Sequence, residues 1–481
     1  MTAARLSLMM FIQFFTWGAW YVTAYLFLGK IGFEPGDVGW TYSVGPIAGM
    51  ISPFVVGMIA DRFFATERVL GVMHLLGGGA MLAASAMMAG ENPSPTLINF
   101  LFFAHMLCYY PTLSLTNSLA LHNMTNAEKQ FPLIRVFGTI GWIIAGWVVS
   151  SQGWDASINL FRLAGGSAIV MGLYSFTLPH TPPPAAGKMP TAWELLGLDA
   201  IVLLKKPSFL VFMVSSFLIC IPLAFYYQLA GKYVDHAGIA NPAFAMSFGQ
   251  ISEIFFMLIM PLFFAALGVK WMLFVGMLAW VIRYAMFSVG ADDGVFWMVM
   301  GGILLHGICY DFFFVTGQIY TDRVAPKHIR SQAQGMLVLF TLGLGMMIGA
   351  QVTGRVEGAF TSPDAKALGD EAGAVGEQMA TRQTSIDKLR GTADASWLNK
   401  QMLFFFPKSL SAEDQQQVAQ LEKEIGELRA QRADILRKTV DWKSVWKWPA
   451  IGAGLIMVLF ALSFFDKTAR TEDAAAAHGA A

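Results

Sequence analysis

The sequence predicts an all-α membrane protein of twelve transmembrane helices in two six-helix bundles. Three observations carry that expectation. Hydrophobic residues make up 56% of the 481 and charged residues only 13%, about half the charge of an ordinary soluble domain. Apolar runs of about 20 residues, enough to cross about 30 Å of hydrocarbon, recur along the chain. They fall into two sets of six around a polar, proline-rich stretch, 180-HTPPPAAGKMPTAWELLGLDA-200, which cannot span a bilayer.

The first set lies at about 5–28, 38–60, 68–90, 97–120, 132–152 and 159–179. The second lies at about 207–230, 244–267, 271–290, 295–318, 330–354 and 444–465. This divides the chain into an N-terminal bundle (1–180), a cytoplasmic linker (181–206), a C-terminal bundle (207–466) and a cytoplasmic tail (467–481). The first apolar run lacks a small-residue cleavage site and reads as a retained helix rather than a signal peptide. Ile134-Arg135 and Ile329-Arg330 each open the fifth helix of their half, a trace of the internal repeat common in two-bundle transporters.

Basic residues set the orientation. Arg62, Arg68, Lys129, Lys205, Lys206, Lys270 and Lys327 fall on one side of the spans, against Lys30, Arg162 and Lys232 in short loops on the other. Both termini are therefore expected in the cytoplasm, with the chain multi-pass in the inner (plasma) membrane. A net charge of zero gives no footing for nucleic acid. Cys108, Cys220 and Cys309 all lie in apolar segments and read as packing residues.

Residues 356–441 interrupt the pattern and are expected outside. Within them, 411-SAEDQQQVAQLEKEIGELRAQRADILRK-438 opens with a capping pair, Ser411 and Asp414. Val418, Leu421, Ile425 and Leu428 form one apolar stripe. An amphipathic hairpin packed on itself is the favoured reading; self-association or an external partner through 411–438 is the alternative.

Ionisable groups inside a bilayer cost at least about 2.5–3.5 kcal/mol each. The candidates are His74, His105, Arg135, Glu253, Arg283, His306 and Asp311. Arg135, Thr139 and Trp142 share one helix face, as do Gln250 and Glu253, and Asp311 shares one with Phe314, with Tyr310 on its flank. This set suits a small polar solute with a flat ring, its donors taken by carboxylates and amides and its face by an aromatic side chain. Arg283, alone on its helix, is expected to neutralise Glu253 or Asp311. His74 and His306 are expected to be satisfied packing histidines. In 57-GMIADR-62, Gly57 permits close helix approach while Asp61 and Arg62 can pair across helix ends, a gating element.

That loop resembles the shortened signature of the major facilitator superfamily. More narrowly, 13-QFFTWGAW-20, 131-FPLIRVFGTIGWIIAGWVVS-150, 192-AWELLGLDA-200, 250-QISEIFFMLIMPLFF-264 and 309-CYDFFFVTG-317 resemble the bacterial nucleoside:proton symporter family. The resemblance runs from the first helix to 442-WKSVWKW-448 and breaks at the insertion. It implies the major facilitator fold, alternating access and proton-driven nucleoside import. It also implies that Arg135, Thr139, Trp142, Gln250, Glu253, Tyr310 and Asp311 line or border the solute site. Where the family presents a glutamine and an asparagine on the seventh helix, this chain has Phe225 and Gln228, which leaves the solute preference open.

The expected activity is proton-coupled import of a nucleoside, with Asp311 or Glu253 carrying the proton and no cofactor or metal. A facilitator for a sugar, a modified nucleoside or a cell-wall fragment is the alternative. A receptor or scaffold using the insertion is a third reading. No H-E-x-x-H, G-x-S-x-G or phosphate-cradling G-x-x-x-x-G-K-[ST] motif supports an enzyme.

Overall fold

The computed structural model describes residues 2–124, 127–183, 198–326, 329–392 and 410–465, which are helical apart from connecting turns and one isolated bridge. Helices α1 (Thr2–Gly18) and α2 (Ala24–Lys30) form the first span. Residues 19–23 loosen it without breaking it, since Ala19, Tyr21 and Ala24 still donate to the carbonyls of Phe15, Trp17 and Trp20. α3 (Pro35–Arg62), α4 (Thr66–Met88), α5 (Pro95–His122), α6 (Ala127–Ser151) and α7 (Asn159–Ser175) complete the N-terminal half. α3 and α5 start with proline, whose fixed φ suits a first turn. α6 begins at Ala127, so Arg135 lies two turns inside it, whereas Arg330 opens its own helix. The expected repeat at these two arginines is therefore out of register, because the polar residues ahead of Arg135 are helical too.

A 3-10 segment, Leu198–Lys205, leads into α8 (Pro207–His236). α9 (Pro242–Val289) is 48 residues long but turns at Gly268, where φ 64° and ψ 177° lie outside any helix; glycine adopts that backbone freely. It is thus two helical arms joined at a break, which falls between the two spans expected at 244–267 and 271–290. α10 (Phe296–Val324) contains a π-turn at Asp311–Val315. α11 runs from Arg330 through a second π-turn, Leu339–Gly345, to Ala359. After α12 (Ala365–Leu389) and α13 (Ala412–Arg437), α14 (Trp442–Ser463) is the last span. Eight of the described helices are long and apolar enough to cross a membrane, the two-armed α9 among them. α1 with α2, α3 and α7 occupy the other expected positions. Leu258 and Leu262 on α9 are 76% and 74% exposed, an outward apolar face suited to lipid rather than water.

Each half has its own core. The largest buried cluster lies within residues 200–464, and two others fall within 6–178, where Ala243, Ala350 and the half-buried Tyr227 join them from the second half. These residues mark where the bundles meet. A Cβ on Gly354 would sit 2.7 Å from the Pro35 carbonyl oxygen, so α3 and α11 cross with no room for a side chain. Gln351 donates to Ser43 at 2.9 Å, and Trp147 to Ser247 at 2.8 Å. Asn241, left-handed at φ 54°, offers α9 no side-chain cap. The cap comes from the other bundle: Asp155 Oδ1 accepts from the Ala243 amide at 2.8 Å, and Ser150 Oγ from the Phe244 amide at 2.9 Å. All these contacts gather at the end formed by the start of α3 and α9 and the finish of α6 and α11.

The inserted segment starts later than the expected residue 356. Glu357 stays in α11, buried, because Lys232 pairs with it at 2.5 Å. α12 and α13 form a hairpin sealed by Ala372, Val375, Ile435 and Leu436 at its base and Ile386, Val418 and Ile425 further out. The Asp414 amide donates to Ser411 Oγ at 3.0 Å, the predicted cap. Arg382 bonds Glu424 at 2.7 Å and holds that carboxyl below its ordinary range. Arg432 forks onto Asp235 of α8 with two 2.9 Å bonds. The hairpin's ends adjoin, Ser362 donating to the Thr439 carbonyl at 2.9 Å.

Replacing Asp155 by alanine strands the first amides of α9. The expected loss is about 1 kcal/mol, smaller for Asp155→Asn, whose amide oxygen still accepts; thermal unfolding in detergent checks both.

Candidate functional site

α6, α9 and α10 deliver the predicted residues to one region. The first arm of α9 contributes Glu253, whose Oε2 lies 3.9 Å from His306 Nε2 on α10. The two helices nearly touch there. A Cβ on Gly307 would stand 2.5 Å from the Ser252 carbonyl oxygen, and Ser252 Oγ donates to the Leu304 carbonyl at 2.5 Å. Close approach puts His306, Tyr310 and Asp311 beside Glu253. Asp311 is fully buried, neither oxygen has a hydrogen-bond partner among the described residues, and its charge couples to that of Glu253. A carboxylate held away from water without a donor is costly, so a group that can donate to it or protonate it relieves that cost.

Asp311 also opens the π-turn of α10, a distortion common at functional positions. Phe314 packs on Tyr310, ring centres 5.2 Å apart, and on Trp280 at 5.9 Å. Tyr310 in turn lies 5.9 Å from His306.

From the other bundle, Arg135 couples electrostatically to Glu253 and Tyr310. It forms no ion pair among the described residues; its guanidinium centre sits 4.1 Å from the centroid of Phe14. Trp142 packs edge-on against Trp17 at 5.4 Å, and Trp17 reaches Tyr21, Tyr109 and Tyr110 within 6.0 Å. Tyr21 meets Tyr227 of α8 at 6.2 Å across the bundle interface. Trp17, Tyr21, Tyr110 and Tyr227 were not singled out from sequence, although 13-QFFTWGAW-20 held a polar and aromatic signal. Thr139 and Gln250 are half-buried and make no side-chain hydrogen bond among the described residues. Gln228 is fully buried with both amide atoms unpartnered there, while Phe225 is part of the C-terminal core. Gly57, Asp61 and Arg62 lie on α3, and their side chains fall outside the described residues.

The other buried ionisable groups divide sharply. His74 meets expectation: Nε2 donates to Gln13 Oε1 at 2.7 Å, while Gln13 Nε2 donates to Thr112 at 2.7 Å. His105 pairs with the Gly77 carbonyl at 2.8 Å. His306 does not, because its Nδ1 has no partner among the described residues and its Nε2 faces a carboxylate. Arg283 does not neutralise an acid as expected. Its guanidinium lies 4.0 Å from the centroid of Tyr226, in an aromatic setting without a carboxylate pair among the described residues.

Residues 1–369 match the family described as Nucleoside H+ symporter. The chain belongs to that family. It is 43% identical over 363 residues to the putative nucleoside transporter YegT of Escherichia coli, covering 73% of this chain and 84% of that one. It is 30% identical over 377 residues to the nucleoside permease NupG of Escherichia coli, covering 74% and 88%. A crystal structure of NupG superposes with a TM-score of 0.73 at 23% identity, covering 97% of this chain and all of that one, which establishes the major facilitator fold. This nucleoside:proton symporter family member is a multi-pass membrane transporter, not an enzyme. It imports nucleosides with protons. The family match ends inside α12, so α13 and α14 lie beyond it.

In this symporter, the Gln13–His74 bond ties α1 to α4, and Gln13 passes the link on to Thr112 of α5. His74→Ala should lower stability by roughly 1–3 kcal/mol, seen as a lower unfolding temperature in detergent. Nucleoside uptake per folded molecule should be retained.

Proposed function

We propose that Glu253 and Asp311 couple proton movement to nucleoside binding in a cavity bordered by Arg135, Thr139, Trp142, Gln228, Gln250 and Tyr310. The observation that carries this reading is the juxtaposition of two acids from the C-terminal bundle with an arginine from the N-terminal bundle that does not pair with them. A carboxylate removed from water favours its neutral form in general, so a proton and Arg135 compete to balance it. Protonation then biases which arrangement of the bundles is populated. The aromatic rings of Trp142 and Tyr310 supply faces for a nucleobase, and the carboxylates and amides accept or donate to hydroxyl and ring N–H groups.

The basic-residue asymmetry puts both termini in the cytoplasm of an inner-membrane protein. The end where the bundles touch is then outside, and the conformation is inward-facing. Gly57, Asp61 and Arg62 act at the opposite, cytoplasmic gate. The α12–α13 hairpin is an external accessory, because its own two cores and the Arg432–Asp235 fork account for its burial.

Proteoliposomes with an imposed proton gradient test the site. The parent should accumulate labelled uridine, adenosine or xanthosine, while Asp311→Asn and Glu253→Gln each lower gradient-driven uptake at least about tenfold, or ~1.4 kcal/mol. Uptake of no nucleoside by the parent, or unchanged uptake by both variants, would sink the proposal. Joining residue 361 to 440 by a short Gly-Ser link moves no span, so excision of the hairpin should leave uptake within about twofold of the parent. Loss of uptake by a correctly folded deletion would instead give the hairpin a transport role.

A further inference from the structure

Arg283 is fully buried on the second arm of α9. Its Nε donates to the Gly302 carbonyl of α10 at 2.9 Å, and neither terminal nitrogen has a hydrogen-bond partner among the described residues. The guanidinium centre lies 4.0 Å from the centroid of Tyr226 on α8. Tyr226 is stacked on His306, with ring centres 5.2 Å apart and planes at 17°. His306 Nε2 is 3.9 Å from Glu253 Oε2. Three flat groups therefore form a column that begins at Arg283 and ends on a carboxylate of the solute site.

A buried charge without a partner is a poor way to fill a core, since an apolar side chain of similar volume generally serves stability as well or better. Ionisable residues in membrane spans face pathways or partners. Arg283 faces neither directly, so its effect must pass through what it touches. A desolvated guanidinium over an aromatic face is held by the ring quadrupole. Tyr226 cannot tilt without uncovering that charge, and His306 cannot turn without leaving Tyr226. The column thus fixes the ring whose Nε2 meets Glu253, while Gly302 anchors the arginine to the helix that carries Tyr310 and Asp311.

We infer that Arg283 is a positioning residue for Glu253, acting through Tyr226 and His306. The inference rests on the coupling role proposed for Glu253. The charged and titratable groups that face Glu253 are Arg135 of α6, Tyr226 and Tyr227 of α8, and His306, Tyr310 and Asp311 of α10. Removing the arginine frees the middle of this set without touching the solute.

The test is uridine uptake by the full-length protein in proteoliposomes, resolved into KM and Vmax across pH and normalised to folded transporter. Arg283→Met should lower Vmax about tenfold and displace the pH optimum, with KM within about twofold of the parent. Arg283→Lys, which keeps the charge without the flat face, should fall between them. Tyr226→Leu breaks the column at its centre and should reproduce the Arg283→Met profile, so it decides the matter if Arg283→Met fails to fold. An unshifted pH profile with parental Vmax in Arg283→Met or Tyr226→Leu overturns the inference. Glu253→Gln measured alongside separates the two levels. If its pH profile stays parental, the coupling role of Glu253 fails; if it shifts while Arg283→Met and Tyr226→Leu do not, only the positioning role fails.

Discussion

Hydrocarbon offers no solvent to a buried polar group, so each one must find a protein partner or be completed by whatever passes through. The two bundles meet this constraint in different ways. In the N-terminal half, Gln13 serves Thr112 and His74, Tyr109 donates to the Gln13 carbonyl at 2.7 Å, and His105 is tied to Gly77. In the C-terminal half, Asp311, Gln228, His306 Nδ1 and the outer nitrogens of Arg283 have no hydrogen-bond partner among the described residues. Unpartnered buried groups occur in the N-terminal half as well, Trp17 Nε1, Trp20 Nε1 and Asn117 Oδ1 among them, but among the described residues the carboxylate, imidazole and guanidinium without full partners all lie in the C-terminal half.

The contact between the halves follows the same logic. At the joined end, backbone meets backbone through Gly354 and Pro35, and Asp155 completes a helix of the opposite bundle. These interactions are short-range and reversible, and none is an interbundle ion pair among the described residues. Separation there exposes a few amides and hydroxyls to water, which can take over the same bonds at little net free energy. Glu253 lies further along α9, roughly two to three turns from its Asp155-capped start.

Much of this architecture was legible in the residues. Apolar runs located the spans, including the two arms of α9, because a hydrocarbon core fixes their length. Cost in hydrocarbon singled out Arg135, Glu253 and Asp311 before any geometry was known. What was not legible depends on backbone detail or on partners distant in sequence. The π-turn at Asp311 leaves no compositional mark. His74 and His306 look alike in one dimension; Gln13 beside one and Glu253 beside the other make them different. Arg283 suggested an ion pair because charge is easily read, whereas its stacking on Tyr226 requires three helices to be in place. Glu357 looked like the start of a polar loop until Lys232 was found against it.

The first arm of α9 carries Glu253 on one side and Leu258 and Leu262, among the most exposed side chains of the protein, on the other. The helix that carries Glu253 is therefore also a wall against lipid. Movement of that arm displaces acyl chains on one side as well as the α10 contacts on the other. Bilayer thickness and lateral pressure then enter the transport cycle as mechanical variables, and the membrane is a working part of the machine as well as its container.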